Sequence, residues 1–465
     1  MGPLAGRTPP DTSPRFARAP TLAATTVGPA VQPIQCPWRL GVVKRRVALL
    51  LVLALLSSTS CSVSAPGNVA LARSDVPRAP ADPVAASDAA RAMEAFGFDL
   101  YRELARGAGS ADIVVSPASI AIALAMARAG ARGETAAQMD AVLRSIGSDE
   151  GAAAINALDQ ALTGRSGSFR ARDGKSYDLA LRIANAPFAQ RDLKLEPAFL
   201  DALASRFGAG VRLVDYKTDA EGARRLINGW VDEQTEQRIP ELLAPGILDV
   251  LTRLVLVNAI YLKAPWEVAF PEASTKPGPF TLPDGSTVDV PMMSVAESFA
   301  YAEGAGWRAV ELPYVGEALA LTIIVPDDFA DFEGRLGADT FALVTAALAP
   351  HQVDLAMPRF ETETKADLAD LLIALGMPLA FDPFMADFSG ITTEEQLFIS
   401  NVIHQANISV DEKGTEAAAA TAVVMRTTSA PGERVELRVD RPFLFALRDV
   451  PTGAVLFLGR IIDPS

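Results

Sequence analysis

Side chains that run acid–base, redox or metal chemistry are scarce in this 465-residue chain. It holds two histidines, His351 and His404, and two cysteines, Cys36 and Cys61, with no His/Cys pair at metal-ligand spacing. Neither a zinc enzyme nor any other metal or cofactor is expected. Gly164-Arg165-Ser166-Gly167-Ser168 is rich in Gly and Ser, but its second glycine is displaced from nucleophile-elbow spacing, so it reads as a loop. An enzyme is therefore not expected. The segment that stands out is 414–434. Its residues 417–425 carry no charge, no Pro and no Gly. Taken alternately, Thr415, Ala417, Ala419, Thr421, Val423 and Met425 make one face, and Glu416, Ala418, Ala420, Ala422, Val424 and Arg426 the other. Both charges fall on the second face, which suits a strand with its other side against a core. Helix propensity alone favours an Ala-rich helix there, and from these residues both readings stand.

The frame that must position this segment is large. Hydrophobic residues make up 49% and charged residues 21%, enough to bury a sizeable core in one large domain or two to three ordinary ones. Residues 1–60 carry seven Lys/Arg against the single acid Asp11, so the remainder sits near −20 while the whole chain is −14. So acidic a body repels phosphate and sulfate polymers, which excludes nucleic-acid or heparin-type partners. Both cysteines precede the body, so no internal disulfide braces it.

The front of the chain reads as an address rather than a fold. Lys44-Arg45-Arg46, an apolar run over 47–56 and small polar residues up to Cys61 form the three-part pattern of an export signal over 43–60. The apolar run is too short to span a bilayer as a mature helix. Residues 1–42 are an extension or a misassigned start. Cys61 after Thr59-Ser60 resembles a bacterial lipoprotein cleavage site, with Ser58 where an aliphatic residue is usual; cleavage after Val63-Ser64-Ala65 is the alternative. The product is then secreted, or held in the cell envelope (periplasm or outer membrane) through a lipidated Cys61. Residues 61–88, rich in Ala, Pro and Ser, suit a tether, which leaves 89–465 as the folded domain.

Within that domain helical spacing marks 88–107, capped by Ser87 or Asp88, then 116–128, 134–146, 150–162, 221–237 and 365–375. Short alternating or apolar runs mark strands at 177–186, 254–262, 287–295, 308–313, 318–325, 352–358, 434–439, 443–449 and 455–462. Helices early and strands late predict an α+β fold with mainly antiparallel sheets. Trp230 and Trp266 read as core aromatics rather than ligand stackers. Asn407-Ile408-Ser409 fits a glycosylation acceptor pattern, but on a strand expected to be buried it reads as chance.

Several segments together resemble one family. Asn258-Ala259-Ile260-Tyr261-Leu262-Lys263-Ala264-Pro265-Trp266, followed by Phe270, resembles the central motif of the serpins. Ser116-Pro117-Ala118-Ser119-Ile120 resembles their early buried helix. His404-Gln405-Ala406 leads through Asp411-Glu412-Lys413-Gly414-Thr415-Glu416 into an alanine run, as the family's hinge does. Asp440-Arg441-Pro442-Phe443 and Gly459-Arg460 resemble its last two strands. The matches run from 116 to 460 in the family's order. Departures are Gln237-Arg238 where Gly-Lys is common, and Ala264-Pro265 in place of a Gly before Trp266.

The resemblance implies three mainly antiparallel sheets, about eight or nine helices and an exposed reactive loop. It implies a monomeric, suicide-type inhibitor that forms a covalent acyl complex with a serine protease and traps it by inserting the loop into a sheet. Glu412, Gly414, Thr415, Glu416, Ala417, Ala418, Ala419 and Ala420 correspond to the hinge, and Ser116, Ser119, Asn258 and His404 to a structural polar cluster. Counted as in inhibitory members, from the acid before the hinge or back from Pro442, the cleaved bond falls between Thr428 and Ser429. A threonine there implies an elastase- or subtilisin-like target. The alternatives are a trypsin-like target read through Arg426, and a non-inhibitory binding module on the same scaffold.

Overall fold

Side-chain caps at Asp82, Ser116, Asp215 and Asp328 each start a helix. A computed structural model describes residues 69–416 and 434–465. The first part holds β1 (Ala70–Ala72), α1 (Pro83–Ala108), β2 (Ile113–Val115), α2 (Pro117–Arg128), α3 (Gly133–Val142) and α4 (Ala152–Thr163). Next come β3 (Gly167–Arg170), β4 (Ser176–Gln190), α5 (Pro197–Phe207), β5 (Val211–Val214), α6 (Tyr216–Gln234) and β6 (Leu254–Pro265). A strand-rich stretch follows, with β7 (Lys276–Thr281), β8 (Thr287–Gly304), β9 (Trp307–Pro313) and β10 (Leu319–Pro326). Beyond α7 (Phe329–Gly334) and α8 (Ala338–Ala347) lie β11 (Ala349–Pro358), β12 (Phe360–Asp367), α9 (Ala369–Leu375) and β13 (Ile403–Asp411). A two-residue strand, β14 (Gly414–Thr415), and then β15 (Arg434–Arg438), β16 (Phe443–Asp449) and β17 (Val455–Ile461) complete the described chain.

One sheet runs β1-β5-β4-β6-β14-β13-β12, with β3 on β4. The other ladder runs β15-β11-β8-β9-β10-β16-β17-β2, with β7 on β8. Its long strand β8 pairs β7 and β11 through its first part and β9 from Ala300 onward, so two of the three expected sheets share it. Antiparallel pairing dominates; β4 with β5, β6 with β13 and β11 with β15 are parallel. Helix α2 is buried from Pro117 to Ala127, as a helix apolar on every side must be. It packs under β4 and β6 and reaches β17, so it fixes the floor on which the first sheet rests.

The terminal motif has a packing reason. A Cβ on Gly459 would stand 2.2 Å from Ile113 O and 2.4 Å from the Phe445 ring, so no larger residue fits between β2 and β16. Arg460, 3% exposed, donates through Nη1 to both Glu333 oxygens at 2.9 Å and caps the end of α1 through Gly109 O at 2.6 Å.

The boundaries differ from the sequence reading in several places; Gly167 and Ser168, read as a loop, open β3. The domain begins before 89: α1 starts at Pro83 with Asp82, not Ser87 or Asp88, as its cap. Within the expected tether, β1 pairs β5, and Arg78 donates to Asn156 Oδ1 at 2.9 Å and to Asp159 Oδ2 at 2.5 Å. Backbone pairing and a buried carboxylate outweigh an Ala/Pro-rich composition. Residues 365–367 end a strand instead of starting a helix, because their ladder to β13 fixes them as β12. At the departure before Trp266, Ala264 and Pro265 extend β6 and face Thr415 and Gly414.

The Gln237 departure does carry a local cost. Glu236 and Gln237 both take left-handed backbone, φ +50° and +67°, which any side chain resists by about 1 kcal/mol. Gln237→Gly is expected to raise stability by roughly 0.5–1 kcal/mol, read as a higher thermal midpoint; an unchanged or lower midpoint would contradict a strained turn.

Candidate functional site

The hinge is built on β13. Asp411, at its end, turns the chain by accepting from Lys413 N at 2.7 Å and Gly414 N at 3.2 Å. The central motif then clasps this turn. Trp266 N donates to Lys413 O, Trp266 Nε1 to Asp411 O and Phe270 N to Glu412 O, each at 2.9 Å. Gly414 is obligatory here, since its φ is +149° and a Cβ would lie 2.1 Å from Ala264 O. Glu412 is buried, which alone would raise its pKa. Hydrogen bonds from Arg359 (Nε at 2.8 Å) and Thr275 outweigh burial and hold it lowered as an ionised anchor.

Thr415 is already inside the sheet. It pairs Val410 of β13 and Ala264 of β6, is 1% exposed, and shares a 2.6 Å hydrogen bond with the Tyr314 hydroxyl. Tyr314 stacks on Trp266 at 4.4 Å, and burial pushes its pKa up, so it stays neutral. Glu416 follows Thr415 in the chain. Its φ is +51°, and its side chain is 4% exposed with Oε2 3.3 Å from Arg238 Nε, without an aligned hydrogen bond. Burial raises its pKa, opposed by Arg238 and reinforced by Glu361.

Below Thr415, among the described residues, no strand lies between β6 and β13. Strands β6 and β13 pair directly only through Asn258↔His404 and Ala259↔Gln405. Between these rungs and β14, residues 260–263 and 406–409 face each other with almost no strand between; Glu416 N reaches Ser409 O at 3.1 Å. Such a slot can accept a strand antiparallel to both walls, as β14 already is.

The polar cluster closes the lower end of the slot. His404 Nδ1 lies 2.8 Å from Asn258 Oδ1, and Ser116 N donates to His404 Nε2 at 3.2 Å. An amide donor at Nε2 places the ring proton on Nδ1, which donates to Asn258. Asn258 Nδ2 donates to Ser119 Oγ at 2.6 Å and Asn185 Oδ1 at 2.9 Å, and Ser119 N to Ser116 Oγ at 3.3 Å. Burial drives the His404 pKa down from 6.5 to about 3, so the ring is neutral.

Thus Ser116, Ser119, Asn258 and His404 converge, and Glu412, Gly414, Thr415 and Glu416 share the sheet top. Ala417, Ala418, Ala419, Ala420, Arg426, Thr428, Ser429 and Cys61 lie outside the described residues. Sequence reading missed Asn185, Tyr314, Thr275 and Arg359, which come from distant elements; only the polar Asn185 amid the apolar strand 183–189 carried a signal. Trp266 is buried as expected, while Trp230 is half-buried beside Arg212. Among the described residues no group of His, Cys, Asp and Glu could hold a metal.

Residues 91–464 match the family model described as serpin (serine protease inhibitor). The chain is 39% identical over 379 residues to an uncharacterized serpin-like protein of Thermococcus kodakarensis, covering 80% of this chain and 85% of that protein. It is 36% identical over 380 residues to human (Homo sapiens) leukocyte elastase inhibitor, covering 79% of this chain and 97% of the inhibitor. Among solved structures, uncleaved ovalbumin superposes with a TM-score of 0.71 at 28% identity, over 81% of this chain and 99% of ovalbumin.

The cluster also sets an acid limit. The unfolded chain protonates His404 near pH 6.5 and the folded one only near 3, so the stability tied to its neutral ring is intact above 6.5 and lost as pH falls toward 3. The loss is about 1.4 kcal/mol per pH unit. Thermal midpoints of the wild type should therefore drop more steeply between pH 6.5 and 4 than those of His404→Gln; parallel curves would show that His404 is not held neutral.

Proposed function

The chain belongs to the serpin family, and from that premise we propose that it is a suicide inhibitor of serine proteases, with an elastase- or subtilisin-like target and Thr428–Ser429 as the bait bond. The observation that carries this reading is Thr415, seated between β6 and β13 above an open slot. Taken alternately, the sequence places Ala417 and Ala419 in the same uncharged set as Thr415, which is buried in the sheet.

The protease serine attacks the Thr428 carbonyl, the Ser429 amine leaves, and an acyl-enzyme forms. The upstream segment, freed at one end, then inserts downward from Thr415 and pairs with residues 260–263 and 406–409. Small alanine side chains enter without forcing packed neighbours apart. Insertion breaks the Asn258–His404 contact, as the walls must part by about one strand spacing, ~4.8 Å. At ~3.3 Å per residue the segment from Glu412 to Thr428 spans roughly 55 Å, enough to drag the acylated protease across the molecule. Distortion of its oxyanion hole slows deacylation by on the order of a hundredfold or more. The inhibitor supplies no catalytic group; it supplies the free energy of completing backbone ladders and burying the loop's inward face. The export pattern before Cys61 supports action outside the cytoplasm, free or envelope-anchored.

Incubation with elastase-, subtilisin- and trypsin-like proteases, followed by denaturing gels, tests this. Covalent complexes with the first two are expected, with mass spectrometry placing the cut after Thr428. A stable complex cut after Arg426 would move the specificity to trypsin-like enzymes, and cleavage without complex would favour a binding module. Ala417→Arg should turn the inhibitor into a substrate, cleaved at an unchanged rate with complex yield reduced at least tenfold; undiminished complex would refute insertion of that face.

A further inference from the structure

The chain enters the first sheet from one end. Strand β1 pairs β5 antiparallel at Ala70↔Leu213, β5 pairs β4 at Leu213↔Ala189, and β4 pairs β6 at Ala189↔Leu254. Ala70 and Leu254 therefore stand on one row of rungs, three strand spacings or ~14 Å apart. Val69 lies beyond that row, on the side of Gln190 and Arg253, and packs on the cluster that Ile247 and Leu248 join.

This end of the sheet carries an apolar tip. Val250 and Leu251, 59% and 74% exposed, sit in the turn that leads into β6. Hydrogen bonds fix the turn. Asp249 Oδ1 accepts from Leu251 N and Thr252 N, and Arg253 Nη1 donates to Val250 O, each at 2.9 Å. Arg253 Nε also donates to Glu395 Oε2 at 2.5 Å, which brings loop 395–398 alongside with Phe398 partly exposed. A contiguous apolar tip rimmed by polar residues marks an interaction surface.

The length of chain upstream decides what reaches it. Eight residue steps separate Val69 from Cys61, at most roughly 29 Å of extended chain. The opposite pole, where Pro265 faces Gly414, lies eleven residues further along β6 than Leu254, ~36 Å away. A bilayer holding a lipidated Cys61 is thus within reach of Val250 and Leu251 and out of reach of the hinge.

We propose that this tip seats the domain on a lipid bilayer, with Val250, Leu251 and Phe398 in the head-group boundary and the hinge held away from the membrane. The seat rests on the envelope-anchored reading above. A short tether keeps the tip at high local concentration beside the bilayer, so a few shallow side chains suffice to orient the domain. Asp249, Glu394 and Glu395 next to it favour zwitterionic over anionic lipid. Seating and trapping then compete. A strand continuing the register of Thr415 with Ala264 and Val410 brings Thr428, thirteen residues on, level with Leu251 and Leu397, so an acylated protease arrives where the bilayer lies.

The full chain, expressed in a lipoprotein-processing bacterium and reconstituted in phosphatidylcholine–phosphatidylethanolamine vesicles with brominated acyl chains, tests the seat. An introduced cysteine is then the one free thiol, since export cleavage removes Cys36 and acylation occupies the Cys61 sulfur. Bimane on Leu251→Cys should be quenched at least threefold more than bimane on Lys276→Cys, an exposed position next to Thr275 of the hinge. Equal quenching at both, or none at 251, overturns the seat. Bimane on Glu394→Cys should also be quenched, and Val250→Asp with Leu251→Asp should abolish this while leaving the thermal midpoint within a degree or two; undiminished quenching overturns the role of the tip. Intact mass reads the acyl groups independently. A chain without them counts against anchoring and removes the seat with it, whereas an acylated chain lacking the quenching pattern overturns the seat alone. Covalent complex formation with an elastase-like protease should relieve the quenching at 251; a complex formed with quenching unchanged overturns the competition alone.

Discussion

Among the described residues, backbone amides and carbonyls on facing walls of β6 and β13 lack a strand that would pair them, and this unmet pairing governs the rest of the structure. Buried backbone groups seek partners, and a sheet with a vacancy lies above the state in which the vacancy is filled. The walls stay apart at the top because Gly414 and Thr415 wedge them. They meet at the bottom because Asn258 and His404 bind each other with their last polar atoms. Helix α2 underlies both walls, with Ser116 and Ser119 at its first turn directed into the same cluster. A neutral histidine is the natural keystone. Its two nitrogens satisfy one donor and one acceptor across two elements without carrying a charge into the core.

The hinge solves an opposite problem. There the chain must turn back on itself and re-enter the sheet within a few residues. Trp266 and Tyr314 form a stacked platform on one side of the turn, and the Arg359–Glu412 pair clamps the other. Charge at Glu412 is tolerated only because its partners outweigh the cost of burial. Glu416 has a weaker arrangement: left-handed backbone and one imperfectly aligned arginine. From Glu412 to Glu416 the side-chain contacts thus weaken.

Much of this was legible in the residues, because the motifs are the contacts. Asn258 to Trp266, with Phe270, is the wall and the clasp; Ser116 and Ser119 are the cap and the cluster; Gly459-Arg460 fits one glycine-sized gap and one buried carboxylate. What was not legible depends on partners far away in the chain. Tyr314, Thr275 and Arg359 sit in ordinary strand or loop sequence, and only the fold brings them to the hinge. Residues 365–367 look helical alone and become a strand because β13 pairs them. The stretch around β1 is Ala/Pro-rich, and its order comes from β5 and from Asp159, neither visible from its own composition.

That short strand has a bearing on crowding. Without β1, strand β5 would be the outer margin of the sheet, with a row of open amides and carbonyls available to any extended peptide. Three residues of β1, followed closely by Arg73 and Asp75, blunt that border with a short, charged selvage. The border of the sheet therefore offers neighbouring copies little to join.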